Sequence, residues 1–440
     1  KPYPAYRDSG VEWIGQVPEH WEIKRLRHVA SFTNSNVDKK SYDGQAAVSL
    51  CNYTDVYYNE FITPDLPFMQ ATASAAEIEQ FALSKGDVII TKDSEDPSDI
   101  GIPSLVAEDV PGVVCGYHLT MIRTASADTS RLLHRILQSH PTQAHFFVGA
   151  PGITRYGLGQ DTIGDVRVCL PPPQDQGFIA ACLDRETARF DALIAKKTRF
   201  IELLKEKRQA LITHAVTKGL DTNVPMRDSK SEWIGEVPEH WRVCSLGYLS
   251  RISTGGTPDR KNDSYWNGEI PWVKTGEINY KIISDTEERI TDAGLSNSAT
   301  FIAEPGTILM AMYGMGVTRG RVAVLGIPAS FNQACAAISC SSGVHNWYVF
   351  YCLCAAYRFI RDLGNEASQV NLNLEIVSKI KVPVPPLLEQ EEIEKHLVAQ
   401  LQKLDAIEQR VSNSISLIKE RRSAFITAAV TGQIDLRESA

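Results

Sequence analysis

EWIGQVPEHW occupies residues 12–21, and EWIGEVPEHW occupies residues 232–241. The two stretches differ only at Gln16 and Glu236. A decapeptide repeated this closely within one chain means the chain is built twice on one plan. The match widens on inspection. RDSGVEWIGQVPEHW at 7–21 matches RDSKSEWIGEVPEHW at 227–241, an offset of 220 (227 against 7). Near the end of each half, LKEKRQALITHAVTKGLD at 204–221 matches IKERRSAFITAAVTGQID at 418–435, an offset of 214 (418 against 204). The same offset aligns LGQDTIGDVRVCLPPPQDQ at 158–176 with LNLEIVSKIKVPVPPLLEQ at 372–390, with little identity. The offset therefore shortens inside the middle of each half, where loops tolerate insertion. Each half reads as opening motif, variable globular part, Pro-rich turn and long helix.

The variable parts share a skeleton. GDVIITK at 86–92 aligns with GTILMAM at 306–312, each a Gly turn before an apolar strand. TDVYYN at 54–59 aligns with GEINYK at 276–281, and GYHLTMI at 116–122 falls where FNQACAAI begins at 331. Short strands, frequent Gly and Pro, and a few helical stretches predict an α+β fold.

The long helices have a different character. Residues 174–217 contain no Pro and only one Gly, Gly177, and residues 388–431 contain neither. Leu397, Leu404, Val411, Ile418 and Phe425 recur every seven residues; their counterparts are Leu183, Phe190, Lys197, Leu204 and Leu211. A sustained seven-residue column predicts a coiled coil, with Lys197 a polar break that can set register. Each helix would be about 66 Å long at about 1.5 Å per residue. Gly219 and Gly432 stand where helix stops are expected. Connectivity predicts two long antiparallel coiled-coil helices separating two globular domains, related by a pseudo-two-fold, nearly circular repeat. The expected divisions are 1–169 and 221–383 for the globular domains, with helices over 170–220 and 384–440. The C-terminal helix is expected beside the first EWIG motif, with Trp13, Trp21, Trp233 and Trp241 packed at the two junctions. The chain begins at Lys1, so residues upstream are expected.

Composition narrows the function. The chain has 440 residues, 43% hydrophobic and 22% charged, which is ordinary for globular domains. Its most apolar stretch, WYVFYCLCAAYRFI, is shorter than a spanning helix and carries an Arg, so no membrane association is expected. Nine scattered Cys without a CxxC pair argue against disulfides and zinc and for a reducing cytoplasm. P-loop, HExxH and GxSxG motifs are absent, as is the Asn/Asp-Pro-Pro-aromatic stretch of adenine methyltransferases. YGMGVTRG at 313–320 lacks dinucleotide spacing and reads as a tight loop. His20 and His240 have no nucleophile or carboxylate tied to them by spacing, so PEHW reads as a docking turn anchored by Trp. The chain is expected to bind and position rather than catalyse.

Candidate binding groups sit on matched loops. The second half offers Thr257, Arg260, Lys261 and Lys274, then Arg319, Arg321, Asn332 and Gln333. The first half offers Lys39, Lys40, Tyr42, Lys92, Tyr117, His118, Arg155 and Tyr156. Arg suits guanine and Asn or Gln suits adenine at major-groove edges. The net charge of −8 opposes a simple nucleic-acid binder.

TGGTPDRKNDSYWNGEIPW, GRVAVLGIPASFNQACAAI, and the turn Pro383 to Pro386 followed by Glu389, Gln390 and a long helix ending in ITAAVTG resemble the specificity subunits of Type I restriction-modification enzymes. The first half departs from that pattern: it lacks GGTP, Cys169 and Leu170 replace Pro383 and Val384, and Asp175 and Gln176 replace the Glu-Gln pair. The resemblance implies double-stranded DNA as ligand, each recognition domain reading half of a bipartite site, with the helix pair setting the gap. It implies two methyltransferase (modification) subunits and motor-nuclease (restriction) subunits as partners. Adenine-N6 methylation and ATP-dependent cleavage, with S-adenosylmethionine, ATP and Mg, would belong to those partners, and no cofactor to this chain. Two other classes fit the residues: a stand-alone tandem-domain DNA-binding regulator, and a coiled-coil scaffold needing no DNA.

Overall fold

The computed structural model describes residues 2–314, 317–363 and 371–437, so part of the 313–320 glycine loop lies outside the described residues. Packing divides the chain into two compact units, Lys1–Thr198 with Ser412–Ala440, and Arg199–Val411. Both are mixtures of sheet and helix, and their five-stranded and three-stranded sheets have the same topology.

In the first unit a five-stranded sheet runs in the order Ala30–Asn34, Leu119–Thr124, Val88–Thr91, Pro103–Val106, Phe61–Ile62. All neighbours are antiparallel except the last pair. In the second unit the order is Ser250–Thr254, Cys335–Cys340, Ile308–Ala311, Val322–Leu325, Ile282–Ile283, again with only the last pair parallel. A three-stranded sheet accompanies each. Ala46–Cys51 is flanked by parallel Val113–Cys115 and antiparallel Met69–Ala73; Trp266–Val273 is flanked by parallel Ser330–Phe331 and antiparallel Glu288–Ile290. The central strands Val88–Thr91 and Ile308–Ala311 are buried at every residue, which explains their unbroken apolar sequence. Gly86 and Gly306, at φ +93° and +88°, make the turns into them, where a side chain would be strained.

The long helices span Pro173–Lys218 and Leu387–Val430. Each contributes to both units. In the first unit the start of one meets the end of the other: Phe190 and Phe425 have ring centres 6.1 Å apart, and Arg422 donates to Asp191 at 3.1 Å. In the second unit the end of the first helix meets the start of the second: Leu204, Leu397, Leu401 and Leu404 share one core, and Arg208 pairs with Asp405. The pairing is thus antiparallel within each unit. Leu183, Leu204, Leu397 and Leu404 of the predicted column are buried, whereas Phe190, Leu211, Val411, Ile418 and Phe425 are half-buried. Both helices end at a glycine in the left-handed region, Gly219 at φ +75° and Gly432 at φ +73°.

The repeated decapeptide is a joint. Tyr6–Asp8 pairs with Gln16–Pro18, and Met226–Asp228 pairs with Glu236–Pro238 in the same register. Arg7 and Arg227 each donate to the carbonyl of the Trp that closes the motif, at 2.6 and 2.5 Å. Trp21 and Trp241 are fully buried against the helix ends. Trp233 is half-buried and donates to the Lys381 carbonyl at 3.0 Å. Trp13 departs from expectation. It is 56% exposed and borders a hollow lined also by Ala144, His145 and Val148 of the helix His140–Gly149.

Candidate nucleic-acid interface

The variable loops at one end of each five-stranded sheet are set by the same backbone bonds. Gly116 N–H donates to Cys51 O at 2.9 Å, and Asn332 N–H to Val273 O at 3.1 Å. Lys92 N–H donates to His118 O at 3.0 Å, and Met312 N–H to Ala334 O at 2.8 Å. The N–H of Asn52 is capped by the Asp55 carboxylate at 2.7 Å, and that of Lys274 by Glu277 at 2.7 Å. Tyr117 and His118 therefore stand where Gln333 and Ala334 stand in the second unit. The frame is duplicated while the side chains on it differ.

In the first unit these loops gather four of the predicted groups. The Lys92 ammonium lies 5.1 Å from the Tyr117 ring centre. His118 Nδ1 is 2.9 Å from Asp93 Oδ2, and Arg155 Nη2 is 3.1 Å from the same nitrogen. Lys39 and Lys40, both exposed, border a recess of about 400 Å³ with Tyr117, His118, Asn52 and Tyr53. Tyr42 turns aside, its hydroxyl donating to Asp38 Oδ2 at 3.0 Å. The Lys40 N–H and this hydroxyl hold the Asp38 carboxyl below its usual range. Tyr156 lies in the short strand Tyr156–Gly157 that pairs with Asp93–Ser94, so its backbone supports the cluster.

In the second unit Thr257 is hydrogen-bonded to Gln333. Arg260 lies over Trp266 and Trp272, at 3.9 and 4.9 Å from their ring centres, and donates to Glu288 at 2.6 Å. Lys274 bridges Glu287 at 2.8 Å and Glu288 at 3.1 Å. Lys261 is exposed beside them, its N–H capped by Asp259 at 3.0 Å. Three predicted groups are used elsewhere. Arg319 donates to the Arg361 carbonyl, Arg321 to Asn279 Oδ1 at 3.4 Å, and Asn332 Oδ1 accepts from the Ala334 N–H at 3.1 Å within its own turn. Sequence reasoning missed Trp266, Trp272 and Glu288, which organise Arg260, and Asp93, which organises His118. Both Trp lie in the stretch SYWNGEIPW, where a local signal exists, but the carboxylates lie on other strands and carry no local signature.

Among the described residues no helix is long and apolar enough to cross a membrane. No group of His, Cys, Asp and Glu among them could hold a metal ion.

Residues 238–417 match the family model described as the Type I restriction modification DNA specificity domain. Over 433 residues the chain is 22% identical to the putative type I restriction enzyme MjaX specificity subunit of Methanocaldococcus jannaschii, covering 96% of each. It is 19% identical to the EcoDI specificity subunit of Escherichia coli, covering 96% of this chain and 90% of that one. The fold is shared with a chain solved in work on complex assembly and conformational transition of the type I R-M system (TM-score 0.71, 16% identity, 95% and 99% covered). It is also shared with the HsdS subunit of Thermoanaerobacter tengcongensis (TM-score 0.51, 16% identity, 95% and 98% covered). With a duplicated frame bearing two different sets of side chains, the chain is similar along its length to the specificity subunits of type I restriction-modification enzymes and matches their DNA specificity domain over residues 238–417.

Proposed function

We propose that each variable domain, 1–169 and 221–383, reads one half of a bipartite double-stranded DNA site, and that the helices of 170–220 and 384–440 set the gap between the halves. The observation that carries this reading is the duplication itself. Strand order, register and loop-fixing hydrogen bonds recur, while one frame carries Lys92, Tyr117, His118 and Arg155 and the other carries Gln333, Arg260 and Lys274. Equal frames with unequal side chains suit two half-sites of different sequence on one duplex. The net charge of −8 is compatible with this, because affinity depends on local phosphate neutralisation.

Two methyltransferase subunits dock on the helix pair, each facing one half-site, and motor-nuclease subunits join for cleavage. Those partners bring adenine-N6 methylation with S-adenosylmethionine, and cleavage with ATP and Mg. The complex works in the cytoplasm. This chain contributes sequence choice and spacing. Methylome sequencing of a host with and without the chain tests the reading. A bipartite methylated-adenine motif that disappears with the chain supports it; an unchanged methylome refutes it.

A further inference from the structure

The first reader has a recess at a place where the second reader carries side chains. Leu50 lies across from Met69 and beside Val114, whereas Trp272 lies across from Glu288 and beside Ser330. The residues that follow, Cys51 and Val273, accept the same turn bond. Leu50 is thus the counterpart of Trp272, and Met69 of Glu288. Lys40 follows the first residue of the preceding strand, Ala30, at the same sequence distance as Arg260 follows Ser250, and it borders the recess. In the first reader the recess is open over Leu50 and Met69.

In the second reader the same place is built around one guanidinium. Trp272 donates its indole N–H to Gly256 O at 3.0 Å, and Trp266 donates to Asp259 O at 3.1 Å. The two rings stand edge to face at 88°, 5.2 Å apart, so both indoles are fixed. Arg260 lies on them and gives one edge to Glu288, which also takes Lys274. The guanidinium is held on its face and on one edge, yet the side chain remains 51% exposed. Its remaining N–H donors form a planar fork whose orientation costs little further entropy to fix.

What such a fork takes depends on the charge around it. Arg260, Lys261 and Lys274 stand with Asp259, Glu287 and Glu288, three charges of each sign, so the neighbourhood is not positive. A phosphate would meet these carboxylates as well as the guanidinium. A neutral pair of acceptors would not be repelled. In the major groove guanine presents such a pair, O6 and N7, at the spacing of the fork.

We propose that Arg260 reads a guanine in the half-site bound by the second reader, and that the first reader has no equivalent contact; this rests on the half-site reading above. Lys40 offers a point charge on a flexible stem, with Met69 where the buttressing carboxylate would be. Glu288 and the two indoles act as positioning residues.

The test uses the complex of the full chain with its modification subunits. The wild-type methylated motif should require a guanine in one half. With Arg260→Lys that position should become degenerate by about tenfold or more, and the other half and the gap should stay unchanged. DNA carrying 7-deazaguanine at that position, which lacks N7, should bind the wild-type complex about tenfold or more weakly and the variant no more weakly than ordinary DNA. Glu288→Gln, which keeps the fold and weakens the buttress, should relax the same position in part. A motif that still requires guanine in R260K overturns the proposal. So does equal weakening on all sequences, the mark of a phosphate contact, or a wild-type motif with no guanine. A wild type with no bipartite motif would instead remove the half-site reading and this inference with it.

Discussion

The Tyr6 hydroxyl donates a hydrogen bond to the carbonyl oxygen of Gly432 at 3.0 Å, across 426 positions of sequence. Gln433 reinforces the closure by donating from its side chain to the Gln16 carbonyl at 2.6 Å. In the second unit the corresponding joint lies within a continuous stretch of chain, from the helix end at Gly219 to Trp241. One joint is therefore made within a continuous stretch of chain and the other by contact between residues 426 positions apart.

The contact version is the tighter one. A Cβ on Gly432 would stand 2.2 Å from Pro18 Cδ, whereas one on Gly219 would meet Trp241 at 3.2 Å. Both glycines have positive φ, which alone costs about 1 kcal/mol for Ala. Gly432→Ala should therefore destabilise the first unit by about 2 kcal/mol or more, and Gly219→Ala should destabilise the second by less. Denaturant unfolding of the two variants, followed by Trp fluorescence, checks the order.

A single methylene distinguishes the two Trp pockets. Trp241 Nε1 donates to Glu389 Oε1 at 3.0 Å, and His240 reaches the other oxygen of that carboxylate at 3.0 Å. The first half has Asp175 at the matching position, and Asp175 is engaged by Arg437 at 3.2 Å. Trp21 Nε1 is buried without a hydrogen-bond partner. Asp175→Glu should supply the acceptor and stabilise the first unit by about 1 kcal/mol; Glu389→Asp should cost the second unit a similar amount. Calorimetric melting of both variants measures the opposite shifts.

Acid should act on the first unit through His134. Burial, followed by the charge of neighbouring Arg135, lowers its pKa from 6.5 to about 3. Between these values the unfolded chain binds a proton that the folded chain refuses, so stability falls as pH falls from about 6.5. The slope from this residue is at most about 1.4 kcal/mol per pH unit. His134→Leu should flatten the dependence between pH 6.5 and 5 relative to wild type, as read from urea midpoints at each pH. An unchanged pH profile would show that other groups govern it.

If the helices measure the gap, lengthening them should change spacing alone. Inserting one turn beside Lys205 or Lys419, about 5.4 Å of helix, should alter the gap in the methylated motif while leaving both half-sites intact. Methylome sequencing of the inserted variants reads this directly, and altered half-sites with an unaltered gap would contradict the ruler role.

Much of the architecture could be read locally. The decapeptide repeat announced two halves, the seven-residue apolar column and the lack of Pro announced the long helices, and Gly219 and Gly432 marked their ends. These features were legible because helix period, helix termination and strand alternation depend on neighbours within a few residues. The aligned strands 86–92 and 306–312 proved to be the buried centres of equivalent sheets for the same reason. Trp13 and Trp21 stand in the same motif, yet one is exposed and the other buried, since only the packing of distant helices separates them.

The sequence by itself determined that this protein is duplicated, α+β, built with two long helices, and similar to a family of DNA-specificity subunits. Only the tertiary structure decided which donors stand together. Arg260 is organised by Glu288 from another strand, His118 by Asp93 and Arg155, and Arg319 is drawn to the Arg361 carbonyl. Such contacts join residues tens of positions apart. Their energies depend on distance and burial in three dimensions, which no local pattern of residue types records.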